Sequence, residues 1–416
     1  MPLSSFRTPK LWADRDFLRL WIGQTASQLA SFASQVTLPL VAVTALGAGA
    51  AQLGVLRAVQ QVPILLFSLF VGVLVDRWRA RSVMMYADLG RAVMLALVPI
   101  AWMLGMPFLY LVAFNVGMFT VCFDVAYQAS LPRLVARDQL AQGNSMLETT
   151  RSAAQICGPA LGGALVSVLT APIAVLASAV MFAASSVSIG RIRGLRGAVS
   201  ASSGGVLGQI REGLRIVVHD GSLRAIAAGT CAYQFSFTAL TTVQLLFLTR
   251  ALNLPAAVVG LVLAAFGPGV LIGSLLSAWL PRRFGFGRVV VLAALIADLV
   301  MLCTAAVHGS GPWTVAALIT INVLYGVFSQ TVDVVVTAIR QAITPLEVQG
   351  RVVATINFLG LGLTPFGALL GGAAAATLGI RTALVIAVLG LFLSPLALKL
   401  SPLGRGRMWV ATTREG

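Results

Sequence analysis

Carboxylic acids inside long apolar runs are the residues of this sequence best placed to do chemistry. Asp298 lies in the middle of one run with no basic residue within a helical turn, and Asp333 lies toward the end of another. A charge near the middle of a bilayer costs about 2.5–3.5 kcal/mol on insertion scales, so acids there need a reason. A carboxylate without a cation partner in a medium of low dielectric can bind a proton. We expect Asp298 and Asp333 to be proton-coupling groups, unless Ser, Thr or Asn side chains on neighbouring helices satisfy them.

Two further acids are followed three residues later by an arginine. Asp88 precedes Arg91 and Glu148 precedes Arg151, and this spacing predicts local salt bridges on a helix face. The four cysteines lie inside apolar runs without metal-ligand spacing, so neither a metal site nor a disulfide is expected. The sequence lacks a His-Glu-x-x-His pattern and a Gly-x-x-x-x-Gly-Lys loop, which disfavours an enzyme and an ATP-driven pump. No cofactor is predicted, and the energy source would be a proton gradient.

A polar stripe runs along the first apolar run. Gln24, Gln28, Ser31 and Gln35 follow one another at steps of 4, 3 and 4, on one face of a helix. Lipid would leave these side chains without hydrogen-bond partners, so the face must contact protein or water. Cavity lining and hydrogen bonding between helices both remain open. The other positions predicted to line a substrate cavity are Asn115, Tyr233, Gln234, Thr238, Thr241, Asn322, Tyr325 and Asn357.

The composition indicates a membrane protein. Hydrophobic residues make up 58% of the 416-residue chain, charged residues 10%, and the mean hydropathy is +0.93, which excludes a soluble globule with a polar surface. The chain divides into apolar runs of about 20 residues, the length of a helix that crosses a bilayer. We predict an all-α membrane protein with twelve transmembrane helices, at residues 17–46, 53–75, 82–104, 108–131, 145–169, 173–190, 223–249, 256–280, 289–307, 313–339, 352–378 and 383–400.

Basic residues mark one side of the predicted membrane. The links that follow the first, third, fifth, seventh, ninth and eleventh spans carry few charges. Of the 29 lysines and arginines, only Arg57, Arg250 and Arg381 lie in or near these links, which leaves 29 − 3 = 26 on the other side. Basic residues are retained on the cytoplasmic side during insertion, so both termini are predicted to be cytoplasmic. The net charge of +16 then reflects topology and anionic lipid headgroups rather than nucleic-acid binding. The first run is too long for the apolar core of a signal peptide.

The two halves of the sequence repeat each other. Adding 210 to the polar stripe maps Gln24 onto Gln234 in the seventh run, and Asp124 corresponds to Asp333 because 333 − 124 = 209. Corresponding runs have the same direction, as in a parallel duplication of a six-helix unit around a central cavity. The predicted domains are a six-helix bundle at 1–190, a cytoplasmic central loop at 191–222 with a flexible Ser/Gly stretch, and a second six-helix bundle at 223–416.

A motif follows the second run. The stretch from Gly72 to Arg81 reads Gly-Val-Leu-Val-Asp-Arg-Trp-Arg-Ala-Arg. It resembles the loop signature Gly-x-x-x-Asp-Arg-x-Gly-Arg-Arg of the major facilitator superfamily. Gly72, Asp76 and Arg77 match the signature, whereas an arginine replaces the second glycine and an alanine replaces the arginine after it.

The resemblance implies a cytoplasmic latch in the outward-facing state. Asp76 would meet the N-terminal end of the eleventh span, where the helix dipole favours an anion. Asp124 of the fourth span would pair with Arg81 or Arg91. The alternative is that the stretch ends a helix and follows the positive-inside rule, which accounts for the arginines but not for the acid beside Gly72.

A second motif lies in the fifth run. Gly158, Pro159, Gly162 and Gly163 form the pattern Gly-Pro-x-x-Gly-Gly, which resembles the signature of antiporter members of the superfamily. The proline removes a backbone donor and bends the helix, while the glycines allow another helix to pack closely. Such a joint suits two bundles that move against each other, and a structural kink without any transport mode remains the alternative.

Residues 17–28 and 131–144 are similar to the bacterial exporter branch that includes macrolide-efflux and enterobactin-exporter proteins. The resemblance implies a multidrug-type efflux protein of the bacterial inner membrane, monomeric, that exports a hydrophobic or amphipathic small molecule by proton antiport with alternating access. A proton-coupled importer or facilitator of a small nutrient is the alternative, and a membrane-embedded enzyme is a weaker one.

Overall fold

The structure is a computed structural model that describes residues 14–77, 79–135, 139–193 and 206–400. All regular elements in these ranges are helices, which confirms the predicted all-α fold. The α-helices are α1 (Arg15–Leu40), α2 (Ala50–Arg77), α3 (Ala80–Ala96), α4 (Val98–Leu104), α5 (Met106–Leu134), α6 (Leu140–Val168), α7 (Ala171–Gly190), α8 (Val206–His219), α9 (Gly221–Leu246), α10 (Ala256–Ala264), α11 (Phe266–Phe284), α12 (Phe286–Leu302), α13 (Pro312–Ile343), α14 (Leu346–Gly362), α15 (Thr364–Thr377), α16 (Ile380–Leu391) and α17 (Leu393–Leu400).

Eleven candidate membrane spans occur in the described ranges, by length and hydropathy. The predicted fifth span lies in α6, which falls outside those eleven. At 29 residues α6 is long enough to cross a bilayer, but Glu148 and Arg151 lie in its first half and reduce its hydropathy. The twelve-helix membrane fold therefore consists of these eleven spans and α6.

The first helix of each half begins in the same way. The Asp14 side chain accepts hydrogen bonds from the backbone N–H groups of Asp16 (2.8 Å) and Phe17 (3.2 Å) at the start of α1. Asp220 does the same for Ser222 and Leu223, both at 2.8 Å, at the start of α9. Such caps satisfy N–H groups that have no partner inside the helix. Both helices also end in a π-helical turn, at Val41–Ala45 and Phe247–Ala251.

These shared features correct the predicted register between the halves. The caps are separated by 220 − 14 = 206 residues and the π-helical turns by 247 − 41 = 206, whereas the polar stripe suggested 210. The difference of four residues is about one helical turn, which keeps a residue on the same face. The offset is still 206 at the starts of α6 and α14, since 346 − 140 = 206, and it is 209 at the starts of α7 and α16, since 380 − 171 = 209.

One compact unit consists of residues 1–46 and 66–202. In it, α1 packs against α6 and α7, and α3 packs against α5 and α7. The α3–α5 contact is close at Gly90, where an added Cβ would lie 2.6 Å from the Phe119 ring. Helices in a membrane gain stability from such tight packing because lipid tails are as apolar as the side chains themselves.

The second compact unit consists of residues 47–65 and 203–416. In it, α9 packs against α14 to α17, and α13 packs against α11 and α12. The first part of α2 belongs to this unit, and an added Cβ on Gly54 would lie 2.9 Å from Gly372 Cα of α15. The division into domains 1–190, 191–222 and 223–416 stays a prediction.

α8 occupies part of the segment that the sequence predicts to be a polar loop. The helix packs on α14 and α9, with Val217 buried in a cluster that includes Val352 and Ile356. Glu212 forms a salt bridge with Arg351 at 2.5 Å. The predicted flexible stretch 200–205 lies outside the described residues, and α8 itself is an element that the sequence analysis missed.

Candidate functional site

A buried ion pair lies in the interior of the first unit. Asp88 and Arg91 of α3 form a salt bridge with both side chains fully buried, which confirms the predicted local pair. The Ser27 hydroxyl of α1 donates to Asp88 Oδ1 at 3.2 Å, and the Ser185 hydroxyl of α7 donates to Asp88 Oδ2 at 2.5 Å. The carboxylate therefore has partners on three helices, as a buried charge requires.

The guanidinium of the pair is also fully enclosed. Arg91 donates to Ser27 Oγ at 3.1 Å and to Ser31 Oγ at 3.3 Å. Its Cζ lies 4.5 Å from the ring centre of Phe123 on α5 and 4.3 Å from that of Phe182 on α7, a cation–π arrangement. The pair thus connects α1, α3, α5 and α7, and its two charges balance each other.

This geometry describes the surroundings of the predicted latch residues, whose role stays a prediction. Arg91 pairs with Asp88, and Arg81 donates to the carbonyl oxygen of Gly190, so neither arginine forms a salt bridge with Asp124 in the described part of the chain. Arg91 forms its salt bridge with Asp88 because the two residues lie one helical turn apart on the same face of α3. Asp124 is exposed on α5.

For the remaining latch residues, the structure describes the backbone and not the side chains. Gly72, Asp76 and Arg77 lie in α2, and their side chains lie outside the described residues. Their role in a latch stays a prediction.

The polar stripe of α1 passes from the interior to the surface of the first unit. Gln24 is buried, and its Oε1 has no hydrogen-bond partner among the described residues. Gln28 and Ser31 are half-buried and Gln35 is exposed. Ser31 is a partner of Arg91, so one member of the stripe makes the interhelical bond that was the alternative to cavity lining.

The glycines of the second motif lie where α6 meets α1. An added Cβ on Gly158 would collide with Phe32, and one on Gly162 would lie 2.9 Å from the Ala33 carbonyl oxygen. Pro159 lies inside α6 and Gly163 is buried. The glycines do permit close helix packing; an antiporter role for the motif stays a prediction.

The second unit holds its own buried acid, without an arginine. Asp298 of α12 is 4% exposed, and its Oδ2 has no hydrogen-bond partner in the part of the chain that the structure describes. Residue 301, three positions later, is a buried Met, whereas the residue three positions after Asp88 is Arg91. The acid also lies one turn further along its helix, since 298 − 286 = 12 while 88 − 80 = 8. Asp298 is therefore deeper in its span and lacks the arginine that neutralises Asp88.

Aromatic rings occupy the places of the serines that bind the first ion pair. At an offset of 206, Ser27 corresponds to Tyr233 and Ser31 to Phe237. Tyr233 stacks on Phe237 with ring centres 5.3 Å apart, and Phe237 stacks on Tyr325 of α13 at 6.3 Å. Asp298 interacts electrostatically with both tyrosines. Tyr233, Phe237, Tyr325 and Asp298 therefore form one array. The sequence analysis named Tyr233, Tyr325 and Asp298 as separate candidates and did not predict that they lie together.

The other predicted cavity residues lie in different settings. Asn322 is buried, accepts from Gln244 Nε2 at 3.4 Å and donates to the Leu318 carbonyl at 2.9 Å. Gln234 is half-buried and Asn357 is exposed. The side chains of Asn115, Thr238 and Thr241 donate hydrogen bonds to backbone carbonyl oxygens of their own helices. Asp333 is exposed on α13.

Two arginines of the basic-poor side bind backbone carbonyl groups. Arg250 donates to the carbonyl oxygens of Gly47 (3.2 Å) and Ala48 (2.5 Å). Arg381 donates to those of Ala305 (2.8 Å) and Val307 (2.9 Å). Each ties together links at the same end of the spans, which accounts for these exceptions to the charge asymmetry.

Among the described residues there is no group of three or more His, Cys, Asp or Glu side chains that could hold a metal. The arrangement offers instead a buried carboxylate and an aromatic surface. A carboxylate of this kind can take up and release a proton, and stacked rings can bind flat apolar molecules.

Comparisons with known proteins point to transport. A family model described as transmembrane secretion effector matches residues 11–411. The sequence is 30% identical to an uncharacterized MFS-type transporter, y4rN, of Sinorhizobium fredii, over 58% of this chain and 59% of that one. It is 28% identical to the multidrug efflux pump Tap of Mycolicibacterium fortuitum, over 77% and 79%. It is 26% identical to macrolide efflux protein A of Streptococcus pyogenes, over 62% and 65%.

The fold is also similar to a solved structure. A nucleoside transporter, NupG, superposes with a TM-score of 0.76, covering 93% of this chain and 99% of that one at 10% sequence identity. At that identity the similarity shows the fold alone.

Proposed function

Since the chain belongs to the transmembrane secretion effector family of the major facilitator superfamily, we propose that it exports a hydrophobic or amphipathic small molecule in exchange for protons. It is a multi-pass membrane transporter and not an enzyme. The observation that carries the proposal is Asp298, a carboxylate buried inside a span without a neighbouring arginine. Alternating access would couple its protonation to movement of the substrate.

Asp298 supplies the proton site. A buried ionised carboxylate needs a cation or a full set of donors, and without them it becomes neutral by binding a proton. Each elementary charge moved through the membrane potential is worth about 2.3 kcal/mol per 100 mV, which is enough to bias two conformations of similar energy. Asp333 is the second candidate for this role, and the two acids would alternate between protonated and ionised states during the cycle.

The substrate would bind against aromatic and amide side chains. Tyr233 and Phe237 are half-buried on α9 and offer ring faces to an apolar ligand. Gln234 follows Tyr233 on the same helix and offers an amide. Because two relatives are described as a multidrug efflux pump and a macrolide efflux protein, we propose a large amphipathic substrate rather than a small nutrient.

Import is the second candidate direction. The structural neighbour is described as a nucleoside transporter, and the same fold supports both directions of transport. Export is favoured because two of the curated relatives are described as efflux proteins. The topology proposed with it places both termini in the cytoplasm and the protein, as a monomer, in the bacterial inner membrane.

Inverted membrane vesicles containing a pH-sensitive dye test the proposal directly. The vesicles are energised so that their interior becomes acidic, and candidate macrolides and other amphipathic drugs are then added. Export by antiport predicts that protons leave the interior when a substrate is added. Vesicles without the protein are the control for passive effects of the drugs.

The opposite outcome is equally clear. A substrate that enters whole cells along the proton gradient, without any proton release from inverted vesicles, would establish the importer and overturn export.

A further inference from the structure

Four arginines surround a cavity at one end of the first unit. α1 and α3 begin at this end, and α7 ends there. The cavity has a volume of about 460 Å³ and is lined by Arg19, Arg81, Gly190, Arg191 and Arg193. All four arginines lie at or beyond the ends of membrane spans, the level of the phosphate groups in a bilayer.

Two of the arginines have fixed positions. Arg81 donates to the Gly190 carbonyl oxygen, and Arg19 Nη1 donates to the Arg191 carbonyl oxygen at 2.8 Å. These carbonyls belong to the C-terminal end of α7, where partial negative charge attracts cations. Arg19 also forms a salt bridge with Asp16 at 2.8 Å, and Asp16 accepts the backbone N–H of Arg193 at 3.1 Å. Three helix ends are thus connected around the cavity, and its shape is set before any ligand binds.

The other two arginines supply charge without a structural task of that kind. Arg191 and Arg193 are exposed. Among the described residues, Asp16 is the acid that bonds to this cluster, and the four arginines that line the cavity outnumber it. A guanidinium offers several N–H donors in one plane and suits the oxygens of a phosphate group.

Apolar side chains on the same three helices lie nearer the middle of the membrane. Ile22, Tyr86 and Val187 are exposed by 54%, 60% and 54%. They lie three residues after Arg19, five after Arg81 and four before Arg191, about one turn into the spans. A ligand with a phosphate group at the level of the arginines and hydrocarbon below it matches this order of side chains.

We propose that the cavity is a binding site for an anionic phospholipid, whose phosphate contacts the arginines and whose acyl chains run along Ile22, Tyr86 and Val187. The shared chemistry is a phosphate group, and a free phosphate ion is the competing source. The exposed apolar residues favour the lipid. Bound there, the lipid would stabilise the junction of α1, α3 and α7 by binding the folded state.

The test compares lipid binding to purified full-length protein in detergent. Native mass spectrometry measures the binding of phosphatidylglycerol and of phosphatidylcholine to the wild type and to the double variant R191A/R193A. These two side chains are exposed, so their removal leaves the contacts of Arg19 and Arg81 in place. Each arginine near an anionic surface changes binding by about fivefold, so we expect at least tenfold weaker phosphatidylglycerol binding in the variant.

A matched control removes the same charge elsewhere. Arg282 and Arg283 are exposed in the last turn of α11, and R282A/R283A should bind phosphatidylglycerol as the wild type does. Equal losses in both double variants, or no loss in R191A/R193A, would overturn the site. Inorganic phosphate is the third arm: if it displaces phosphatidylglycerol at equal molar concentration, the site takes a soluble anion and the lipid assignment is wrong.

Discussion

Each unit has a buried acid on the same face of the corresponding helix, but the residues around the two acids differ. Asp88 has Arg91 one turn away and serine hydroxyls on α1 and α7. Asp298 has Met301 at the same spacing and the aromatic residues Tyr233 and Phe237 at the positions of the serines. The first unit therefore holds an ion pair with partners on α1 and α7, which suits a rigid scaffold. The second holds a buried acid that forms no salt bridge within the described ranges, and this is the acid that we propose as the proton site.

The largest effect on stability is expected from Arg91→Met. This change copies residue 301 of the second unit and leaves Asp88 buried without its cation. Breaking a buried ion pair by removing one partner costs about 3–5 kcal/mol, so the thermal unfolding temperature in detergent should fall strongly. The double change D88N/R91M removes both charges and should recover much of the loss. A double variant no more stable than R91M would contradict the view that the cost is an uncompensated carboxylate.

The reverse exchange, Met301→Arg, sharpens the comparison. It places a guanidinium three residues after Asp298, as in the first unit, and i, i+3 pairs on a helix face meet. We expect the acid to become permanently paired, so that proton-driven transport in vesicles falls to background. Met301→Leu, of similar volume, is the control and should transport normally. Full transport by M301R would show that Asp298 does not need to exchange a proton.

A moderate effect is expected where glycines let helices approach. An added methyl group on Gly162 would meet the Ala33 carbonyl at 2.9 Å, and one on Gly371 would meet the Ala239 carbonyl at 2.9 Å. Overpacking of this kind costs about 1–3 kcal/mol, so G162A and G371A should both lower the unfolding temperature. A methyl group added to Gly350 would have no neighbouring atom within 4 Å, and G350A should unfold like the wild type. Similar values for all three variants would contradict the packing role.

The smallest effect is expected at the salt bridge that joins α8 to α14. Glu212 and Arg351 are exposed by 50% and 39%, and exposed pairs contribute about 0–1 kcal/mol. Glu212→Ala should therefore leave the unfolding temperature nearly unchanged. Val217→Ala, which shortens a buried side chain of the same helix, should cost more. A larger loss for E212A than for V217A would show that charge, rather than apolar burial, holds α8 in place.

The spans and their order could be predicted from the sequence because hydropathy and charge asymmetry are properties of whole segments. The register between halves could not. The stripe beginning at Gln24 and its counterpart beginning at Gln234 agree in pattern at an offset of 210, but the Asp14 and Asp220 caps establish 206. A shift of one turn preserves the polar face, so a pattern of faces does not reveal it. Backbone caps and contacts such as Gly162 with Ala33 are needed.

The ion pair of the first unit could be predicted in part. The spacing of Asp88 and Arg91 indicated a local pair, and the structure confirms it. Ser185, nearly a hundred residues away, gave no signal because its contact depends on how α7 packs against α3. The same limit applies to the expected partner of Asp124, since a motif gives residue types but does not decide which of two arginines is captured by a nearer acid.

The substitution Asp298→Asn tests whether Asp298 carries the coupling proton. Purified protein is reconstituted into liposomes, and two activities are compared: uptake driven by a proton gradient, and exchange of labelled for unlabelled substrate without a gradient. We expect D298N to keep exchange and to lose the response to the gradient, because the amide is neutral and cannot carry a proton. Gradient-driven uptake at the wild-type rate by D298N would contradict it.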